Sequence, residues 1–336
     1  MRRCILFGTI LTFLPKVVQC HATESLIPIE RTVRSVLNHW PVEQTTIREL
    51  QNDDRECFAI AKNLDARLRS FRRNGDCGRC WLQRAHCVCD EIISLEHVDA
   101  KTDTEQDSAA RSLLRGAIRR IFVLTHHKEI CLVVDTAKLI AASLPDTCRI
   151  VVGGIGPNFQ DSMAEMMHCI QNHPSSCIVL FPSEDAKTYA EIANNNNSAD
   201  GEETDIVPKE GWNVIVIDGT WEQARKMYQR YLASEHDKTG KGLLHVKLSD
   251  ASLATILTPG NDGSVRDNSS WFPAGMQLRR HPEEWRQIST LAATRLLLAD
   301  IVPGKVTQWN KMMDYQIIAD QAARKQLGPI RLRQVK

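Results

Sequence analysis

Short apolar runs alternate with longer amphipathic segments along the chain from residue 121 onward. Four of the runs are predicted to be buried strands: Ile121–Leu124, Arg149–Val152, Cys177–Phe181 and Asn213–Ile217. Four segments with apolar residues at helical spacing are predicted to be helices: Glu129–Leu144, Glu184–Ala193, Trp221–Leu232 and Ile288–Asp300. This alternation is typical of an α/β domain with a largely parallel sheet, which is the fold class that we predict.

The first 75 residues have a different pattern. Two arginines precede an apolar run at Cys4–Leu14, which is too short to span a membrane but suits a signal or organellar leader. An ordinary N-terminal segment or a misassigned start codon explains residues 1–23 equally well. Residues 24–75 are predicted to form a helical and polar extension, in which Glu56–Phe71 has helical spacing.

Composition and charge narrow the class of protein. The chain has 336 residues, of which 43% are hydrophobic and 25% charged, as in an ordinary globular protein. The formal net charge is +1, so a surface for nucleic acid has to be local rather than spread over the molecule.

Two polar insertions, Asn194–Asp205 and Thr258–Ser270, are predicted to be loops. Residues 303–336 are predicted to be a basic tail.

Four of the 11 cysteines lie close together, at Cys77, Cys80, Cys87 and Cys89. Zinc takes four thiolates in tetrahedral geometry, and a Cys-x-x-Cys turn aims two of them at one point. Gly78 is able to take a positive φ in this turn. We therefore predict a zinc site in residues 77–89. The alternatives are two disulfides in an exported domain, or His86 in place of one cysteine ligand.

Basic residues surround the cysteine cluster: Arg72, Arg73, Arg79 and Arg84. Trp81 lies among them. A contact with loop or single-stranded RNA needs basic side chains along the phosphates and an aromatic ring for base stacking, so this segment is a candidate RNA-binding surface. The residues alone fit a solvated basic face equally well.

The predicted strand Asn213–Ile217 runs directly into Asp218 and Gly219. Thr220 and Gln223 have the spacing of a capping box, so a helix is predicted to follow. Asp218 then lies at the carboxyl end of a strand, where open α/β sheets bind their ligands, and Gly219 lets a ligand approach the backbone. The helix N-terminus offers amide groups to a carboxylate. An aspartate directly after a strand is usually a cap or turn residue, so on these features alone Asp218 is better explained as such a residue than as a catalytic one.

The segment Asp218–Met227 resembles the signature of the DTW-domain family, which is D-x-T-W followed by Q-A and a basic pair. The cysteines match its C-x2-C-x6-C-x-C cluster. Its other motifs follow in the family's order: Thr125–Glu129, Asp135-Thr136, Val179–Pro182, Leu278-Arg279-Arg280 and Ser289–Ala293. The resemblance covers about residues 76–300, so we predict one DTW domain over residues 76–302. Within the family, the sequence most resembles the eukaryotic branch of DTW-domain-containing protein 2.

Two positions depart from the family pattern. His127 stands where the family has proline, which should change only a local turn. Ala292 stands where the family has glutamate, which removes a carboxylate from the first turn of a helix. If that carboxylate orients the amine of the donor, activity or donor affinity falls; if it only caps the helix, little follows.

The resemblance implies a tRNA-uridine aminocarboxypropyltransferase with a SPOUT-like sheet-and-loop architecture and structural zinc. S-adenosylmethionine would be the donor, N3 of a D-loop uridine the acceptor, and 5′-methylthioadenosine the by-product. Asp218 is then the candidate general base for the uridine N3 proton. The expected donor contacts are Phe181, Pro182, Ile217, Gly219, Thr220, Trp221, Leu278, Ser289, Thr290 and Leu291.

The expected tRNA contacts are basic: Arg72, Arg73, Arg79, Arg84, Arg225, Lys226, Arg279 and Arg280.

Several of the residues named so far are also explained by structural roles that involve no ligand. Trp221 is equally explained as a packing anchor, and Arg279 and Arg280 as part of a solvated edge strand. His126 and Glu129 are explained by donor binding or by closure of a loop.

Three other functions stay open. A methyltransferase would use the same donor in another orientation, and a non-catalytic RNA-binding protein would need only the zinc element and the arginines. An exported, disulfide-bonded protein follows from the leader alone. The expected compartment is the cytoplasm or nucleus, or an organelle if the leader is real; the oligomeric state and the modified tRNA position are left undetermined.

Overall fold

The computed structural model describes residues 26–42, 50–96, 116–196, 207–233, 243–257 and 288–328. Within these residues, five parallel strands form one sheet in the order β2-β1-β4-β3-β5. The strands are β1 Ile118–His126, β2 Cys148–Gly153, β3 Cys177–Leu180, β4 Trp212–Asp218 and β5 Leu244–Val246. The predicted α/β fold with a parallel sheet is therefore confirmed, and β1 to β4 fall on the four predicted runs.

Helices cover both faces of the sheet, and for this reason the strands are apolar on both sides. In β1, Ile121 and Val123 enter one core, and Phe122 and Leu124 enter the other. The helices are α1 Ile27–His39, α2 Asn52–Asn74, α3 Ala137–Ser143, α4 Asp161–Asn172, α5 Tyr189–Asn196, α6 Trp221–Tyr228, α7 Asp250–Leu257, α8 Thr290–Ile301 and α9 Val306–Leu327.

The helices divide between three packing clusters. Helices α4 and α6 pack on one face of the sheet, and α3, α8 and α9 pack on the other. Helices α1 and α2 pack together against Ile150 and Val152 of the edge strand β2. The helix predicted at Glu56–Phe71 is confirmed within α2. None of the helices in the described ranges has the length and apolar character needed to cross a membrane.

The helix predicted over Glu129–Leu144 is wrong in its first half. Residues 129–136 form successive turns, in which the Leu132 N–H donates to the Glu129 carbonyl at 3.0 Å. Cys131 has a φ of 64°, a left-handed conformation that an α-helix cannot continue. Only Ala137–Ser143 is helical, and the Asp135 Oδ1 atom accepts from the Ala137 N–H at 3.2 Å at its start.

Helix α9 packs in the core, although the sequence assigned residues 303–336 to a basic tail. Trp309, Met312, Tyr315 and Ala319 recur at helical spacing and are buried against the rest of the domain. Polar and basic residues elsewhere on the helix, of which Lys311 and Arg324 are half-buried and Lys325 is exposed, made this apolar stripe hard to recognise in the sequence. The predicted leader and the predicted loop at 258–270 lie outside the described residues.

Candidate active site and metal centre

Asp218 ends β4 and lies at the carboxyl edge of the sheet, where it pairs with Thr125 of β1. From this edge the chain leaves the two central strands in opposite directions. Strand β1 is followed by β2 on one side of the sheet, and β4 is followed by β5 on the other side. Such a switch point opens a crevice at the carboxyl ends of parallel strands, and ligands of α/β proteins bind there.

The Asp218 carboxyl group is buried, with 4% of the residue exposed, and is held by the start of α8. The Thr290 hydroxyl donates to Asp218 Oδ1 at 2.7 Å. Ser289 is the N-cap of α8, and its hydroxyl oxygen accepts from the Ala292 N–H at 3.1 Å. This cap fixes the first turn of the helix, and the first turn aims Thr290 at the carboxyl group.

A second buried carboxyl group, that of Asp135, lies beside Asp218. The start of α8 joins the two segments, because Thr290 donates to Asp218 and the N–H of the next residue, Leu291, donates to the hydroxyl oxygen of Thr136. Burial raises the pKa of Asp218 well above its usual range, and the negative charge of Asp135 raises it further. Burial also raises the pKa of Asp135, and the Lys138 ammonium group opposes this rise. Two carboxyl groups in such an environment titrate together, so the pair retains a proton at a pH where free aspartates are ionised.

Lys138 on α3 is buried beside this pair. Its Nζ atom donates to the carbonyl oxygens of Val133 at 2.6 Å and Leu132 at 3.2 Å, and it lies 5.7 Å from the centre of the Trp81 ring. Burial lowers the pKa of Lys138 to about 8, against the opposing charge of Asp135. The amine is therefore mostly protonated at neutral pH and compensates a negative charge on the carboxyl pair.

Trp221 begins α6, directly after the Asp218 turn, and 39% of its surface is exposed. Its ring stacks on Phe181 with centroids 5.8 Å apart, and Phe181 stacks on Tyr228 at 4.3 Å. The Tyr228 hydroxyl is in turn 3.1 Å from His245 Nε2. A partly exposed ring on a supported aromatic stack is suited to contact a flat ligand, and it also packs against Phe181.

The turn between β4 and α6 is fixed by a complete capping box. The Thr220 hydroxyl oxygen accepts from the Gln223 N–H at 3.4 Å, and Gln223 Oε1 accepts from the Thr220 N–H at 2.7 Å. At Gly219, a Cβ atom would lie 3.1 Å from Gln223 Oε1 and 3.3 Å from the His126 Cβ atom. Glycine therefore allows this turn to pack closely against the end of β1.

The turn after β1 carries His126 and His127, whose rings stack at 4.3 Å. Burial lowers the pKa of His127 to about 4 and also lowers that of His126, so both rings are neutral at neutral pH. Arg67 of α2 clamps this turn, because its Nη1 atom donates to the carbonyl oxygens of Lys128 at 2.7 Å and Ile130 at 2.8 Å. His127, which stands where the family has proline, therefore lies in a turn whose backbone carbonyls are bound by the Arg67 side chain.

The other expected donor contacts have varied surroundings. Pro182 is exposed and lies two residues beyond the end of β3, and Ile217 is half-buried near the end of β4. Leu291 is buried in the core, and its N–H donates to the Thr136 hydroxyl oxygen at 3.4 Å. Leu278 lies outside the described residues. Among the described residues, the expected donor contacts that lie next to Asp218 are therefore Gly219, Thr220, Trp221 and Thr290.

Ala292 occupies the position where the family has glutamate. Its side chain is buried and packs against Met313 of α9, with Ile288 and Ile317 beside it. Serine at the N-cap with glutamate three residues later is the pattern of a capping box. A glutamate at this position would complete a capping box, of which this chain keeps the Ser289 half.

The four clustered cysteines place their sulfur atoms within 4.8 Å of one another. The Cys77 and Cys89 Sγ atoms are 3.4 Å apart, and those of Cys80 and Cys87 are 3.7 Å apart. Thiolates bound tetrahedrally at about 2.3 Å from zinc lie about 3.8 Å from each other, so the cluster could hold a zinc ion. No disulfide joins any of the described cysteines, and the cluster does not include His86.

The cysteine cluster joins two helices near the carboxyl pair. Arg79 Nη2 donates to the carbonyl oxygens of Ala142 on α3 at 2.8 Å and of Ile92 at 3.0 Å. The Gln83 N–H donates to Gln326 Oε1 on α9 at 2.8 Å. The left-handed residue of this segment is Trp81, with a φ of 58°, and not Gly78.

The residues expected to contact RNA differ in their surroundings. Arg73, Arg84 and Arg225 are exposed. Two further exposed residues are ion-paired, Arg72 with Glu30 at 2.8 Å and Lys226 with Glu222 at 2.7 Å. Arg79 is bound to backbone carbonyls, and Arg279 and Arg280 lie outside the described residues. The expectation that Trp81 stacks on RNA bases is wrong, because the residue is completely buried.

Sequence reasoning missed the roles of Lys138 and Arg67 and assigned Asp135 none beyond a family motif. The available signal was the i, i+3 spacing of Asp135 and Lys138, which places their side chains on one side of a helix start. Nothing in the sequence distinguishes the buried Lys138 from an exposed lysine. The Arg67 contacts could not be predicted because they join segments that are 60 or more residues apart in the sequence.

The fold and the buried carboxyl pair define an α/β protein with a candidate ligand site at the switch point of a parallel sheet. A family model for the DTW domain matches residues 74–317, which is more than half of the chain. The chain belongs to the DTW-domain family. This family is associated with tRNA modification, which supports a tRNA-related function and, in general terms, a transferase. Comparisons with curated proteins and with solved structures gave no match.

Proposed function

We propose that this protein transfers the 3-amino-3-carboxypropyl group of S-adenosylmethionine to N3 of a D-loop uridine in tRNA, with release of 5′-methylthioadenosine. The observation that carries the proposal is the buried Asp218 carboxyl group at the switch point, in a chain of the DTW-domain family. The motifs favour membership of the eukaryotic branch of DTW-domain-containing protein 2.

Asp218 acts as the general base. The uridine N3 atom forms a bond to the γ-carbon of the donor side chain while its proton passes to the Asp218 carboxyl group. The bond between that carbon and the sulfonium sulfur breaks, and its electron pair stays on sulfur as a neutral thioether. Burial supports the role of Asp218, because a raised pKa makes a carboxylate a stronger base near neutral pH.

The residues around Asp218 suit the binding of a donor and a nucleobase. Trp221 offers a flat exposed ring over Phe181, which fits stacking with adenine or uracil. The N-terminus of α6 offers amide groups to a carboxylate. The choice of the γ-carbon over the methyl carbon is one of position, since the crevice has to aim that carbon at N3.

The cysteine cluster would hold zinc in a structural role. Its four thiolates complete the tetrahedral coordination of the ion, which leaves no open position for a substrate. With the cluster fixed, Arg79 and Gln83 hold α3 and α9 in place. The exposed residues Arg73, Arg84 and Arg225 would contact tRNA phosphates, whereas Arg79 serves the structure.

The decisive experiment uses two labels on the donor. Zinc-loaded protein is incubated with bulk tRNA and S-adenosylmethionine labelled either in the carboxyl group or in the methyl group. We expect carboxyl label in tRNA and methyl label only in 5′-methylthioadenosine. Asp218→Asn keeps the shape of the side chain but cannot accept the proton, so incorporation should fall by about 100-fold or more.

Asp300→Asn is the matched control, because Asp300 is a partly buried aspartate bonded to Ser252 at 2.9 Å near the other end of α8. It should transfer label at the wild-type rate. Methyl label in tRNA would instead show a methyltransferase. Binding of tRNA without either label would leave the non-catalytic RNA-binding function.

A further inference from the structure

We propose that Asp135 is a positioning residue for Asp218, and that the two carboxyl groups share one proton and act as a single unit in the transfer. The role of this pair of carboxyl groups in catalysis rests on the proposed function. The sharing of the proton is a property of the folded chain alone, and it is testable without any substrate.

The hydrogen bonds of the two side chains require the shared proton. Asp218 Oδ1 accepts from the Thr290 hydroxyl at 2.7 Å, and Asp135 Oδ1 accepts from the Ala137 N–H at 3.2 Å. The Oδ2 atom of each group is buried and has no donor among the described residues. Two ionised carboxylates would leave both atoms unpaired and would repel each other in a buried site. One proton between the two groups removes both problems.

The charged groups that face the pair decide where the proton rests. Lys138 on α3 carries a positive charge next to Asp135 and favours its ionised form. Glu129, in the turn after β1, adds a negative charge that acts on both carboxyl groups. Strand β4 contributes Asp218 itself, and α8 contributes the neutral Thr290. The proton therefore rests on Asp218, which donates it to Asp135.

This arrangement gives Asp135 a defined part in the reaction. As Asp218 takes the proton from N3, its own proton passes along the hydrogen bond to Asp135. The pair then holds two protons and has lost its negative charge. Because a buried site favours the neutral state, the pair accepts a proton more readily than a solvated carboxylate does. The N3–carbon bond forms and the carbon–sulfur bond breaks as described above.

The first test is a pH titration of the zinc-loaded full chain with ¹³C-labelled aspartate carboxyl groups, followed by NMR. Signals are assigned by their loss in Asp135→Asn and Asp218→Asn. In the wild-type chain, each of the two carbons should report two titration steps, because each group responds to the proton on the other. Independent single-step curves would overturn the proposal, even if the chain transfers the aminocarboxypropyl group.

Two variants should move the Asp218 pKa in opposite directions. Asp135→Asn removes a negative charge and supplies an amide donor, so the pKa of Asp218 should fall by about one unit or more. Thr290→Val removes a hydrogen bond that lowers this pKa, so the pKa should rise. Melting curves show whether each variant is folded. If Asp135→Asn does not fold, the two-step titration of the Asp218 carbon in the wild-type chain, assigned by its loss in Asp218→Asn, decides alone.

The pH dependence of kcat separates positioning from a structural role. The acidic limb should move to lower pH in Asp135→Asn, with a plateau about tenfold lower because the base is weaker. The same limb should move to higher pH in Thr290→Val. A purely structural role would lower kcat and leave the limb in place, and that result would overturn the proposal.

Discussion

Asp320 lies on the inner side of α9, where only 8% of the residue is exposed. Burial raises its pKa to about 7, against opposing contributions from Arg324, Lys138 and Gln316. An unfolded chain has an aspartate pKa of about 3.9. The folded state therefore binds a proton that the unfolded state has lost. This contribution to stability is fully present below about pH 4 and disappears as the pH rises to about 7.

Asp320→Asn should remove this pH dependence, because asparagine has a similar shape and does not titrate. Between about pH 5.5 and 8, the wild-type chain should lose about 2 kcal/mol of unfolding free energy relative to the variant. Urea unfolding at the two pH values measures the difference. Asp314→Asn, at an exposed position of the same helix, should follow the wild type. Parallel curves for Asp320→Asn and wild type would mean that Asp320 is already ionised in the folded state.

At the scale of elements, the cysteine cluster fixes helices that position the carboxyl pair. Helix α3 follows Asp135 directly and carries Lys138, and its Ala142 carbonyl is bound by Arg79 from within the cluster. Helix α9 is bound by Gln83 and packs against α8, which presents Thr290. A change in the cluster should therefore reach Asp218 through two helices, although no thiol takes part in the chemistry.

Replacement of one cluster thiol should show this connection. Cys80→Ser should abolish zinc binding, lower the melting temperature by about 20 °C and reduce transfer activity, because structural zinc contributes on the order of 10 kcal/mol to the folding of its own site. Cys177→Ala changes an equally buried cysteine in the other core and should keep one zinc ion per chain. Metal analysis, melting curves and the two-label assay measure these effects. A Cys80→Ser chain with full zinc content would contradict the four-cysteine site.

Elements with a strong local pattern could be predicted from the sequence, and those that depend on distant contacts could not. The run Asn213–Ile217 and the capping box at Thr220 correctly gave β4 and the start of α6. Strand β5 has three residues, too few for any period to emerge. The zinc-binding spacing is local and was predictable, whereas the proximity of Asp135 to Asp218 depends on two strand ends that meet only in the folded sheet.

At the scale of the whole molecule, the two edges of the sheet differ in what they can bind. The carboxyl edge has the switch point, the exposed Trp221 ring and the first turns of α6, which carry Arg225. The amino edge begins β4 next to Lys209. With a formal net charge of +1, the molecule has little overall attraction for RNA. Binding of tRNA should therefore depend on local basic residues at the carboxyl edge.

Charge reversal at the two edges tests this dependence. Arg225→Glu and Lys209→Glu change the net charge equally, and both positions are exposed. Arg225→Glu should raise the Kd for tRNA several-fold and reduce the dependence of log Kd on log salt by about one, because one phosphate contact is lost. Lys209→Glu should leave the slope unchanged. Fluorescence anisotropy at about 50 to 200 mM salt measures both quantities. Equal losses in the two variants would mean that tRNA responds only to total charge, and docking over the carboxyl edge would be wrong.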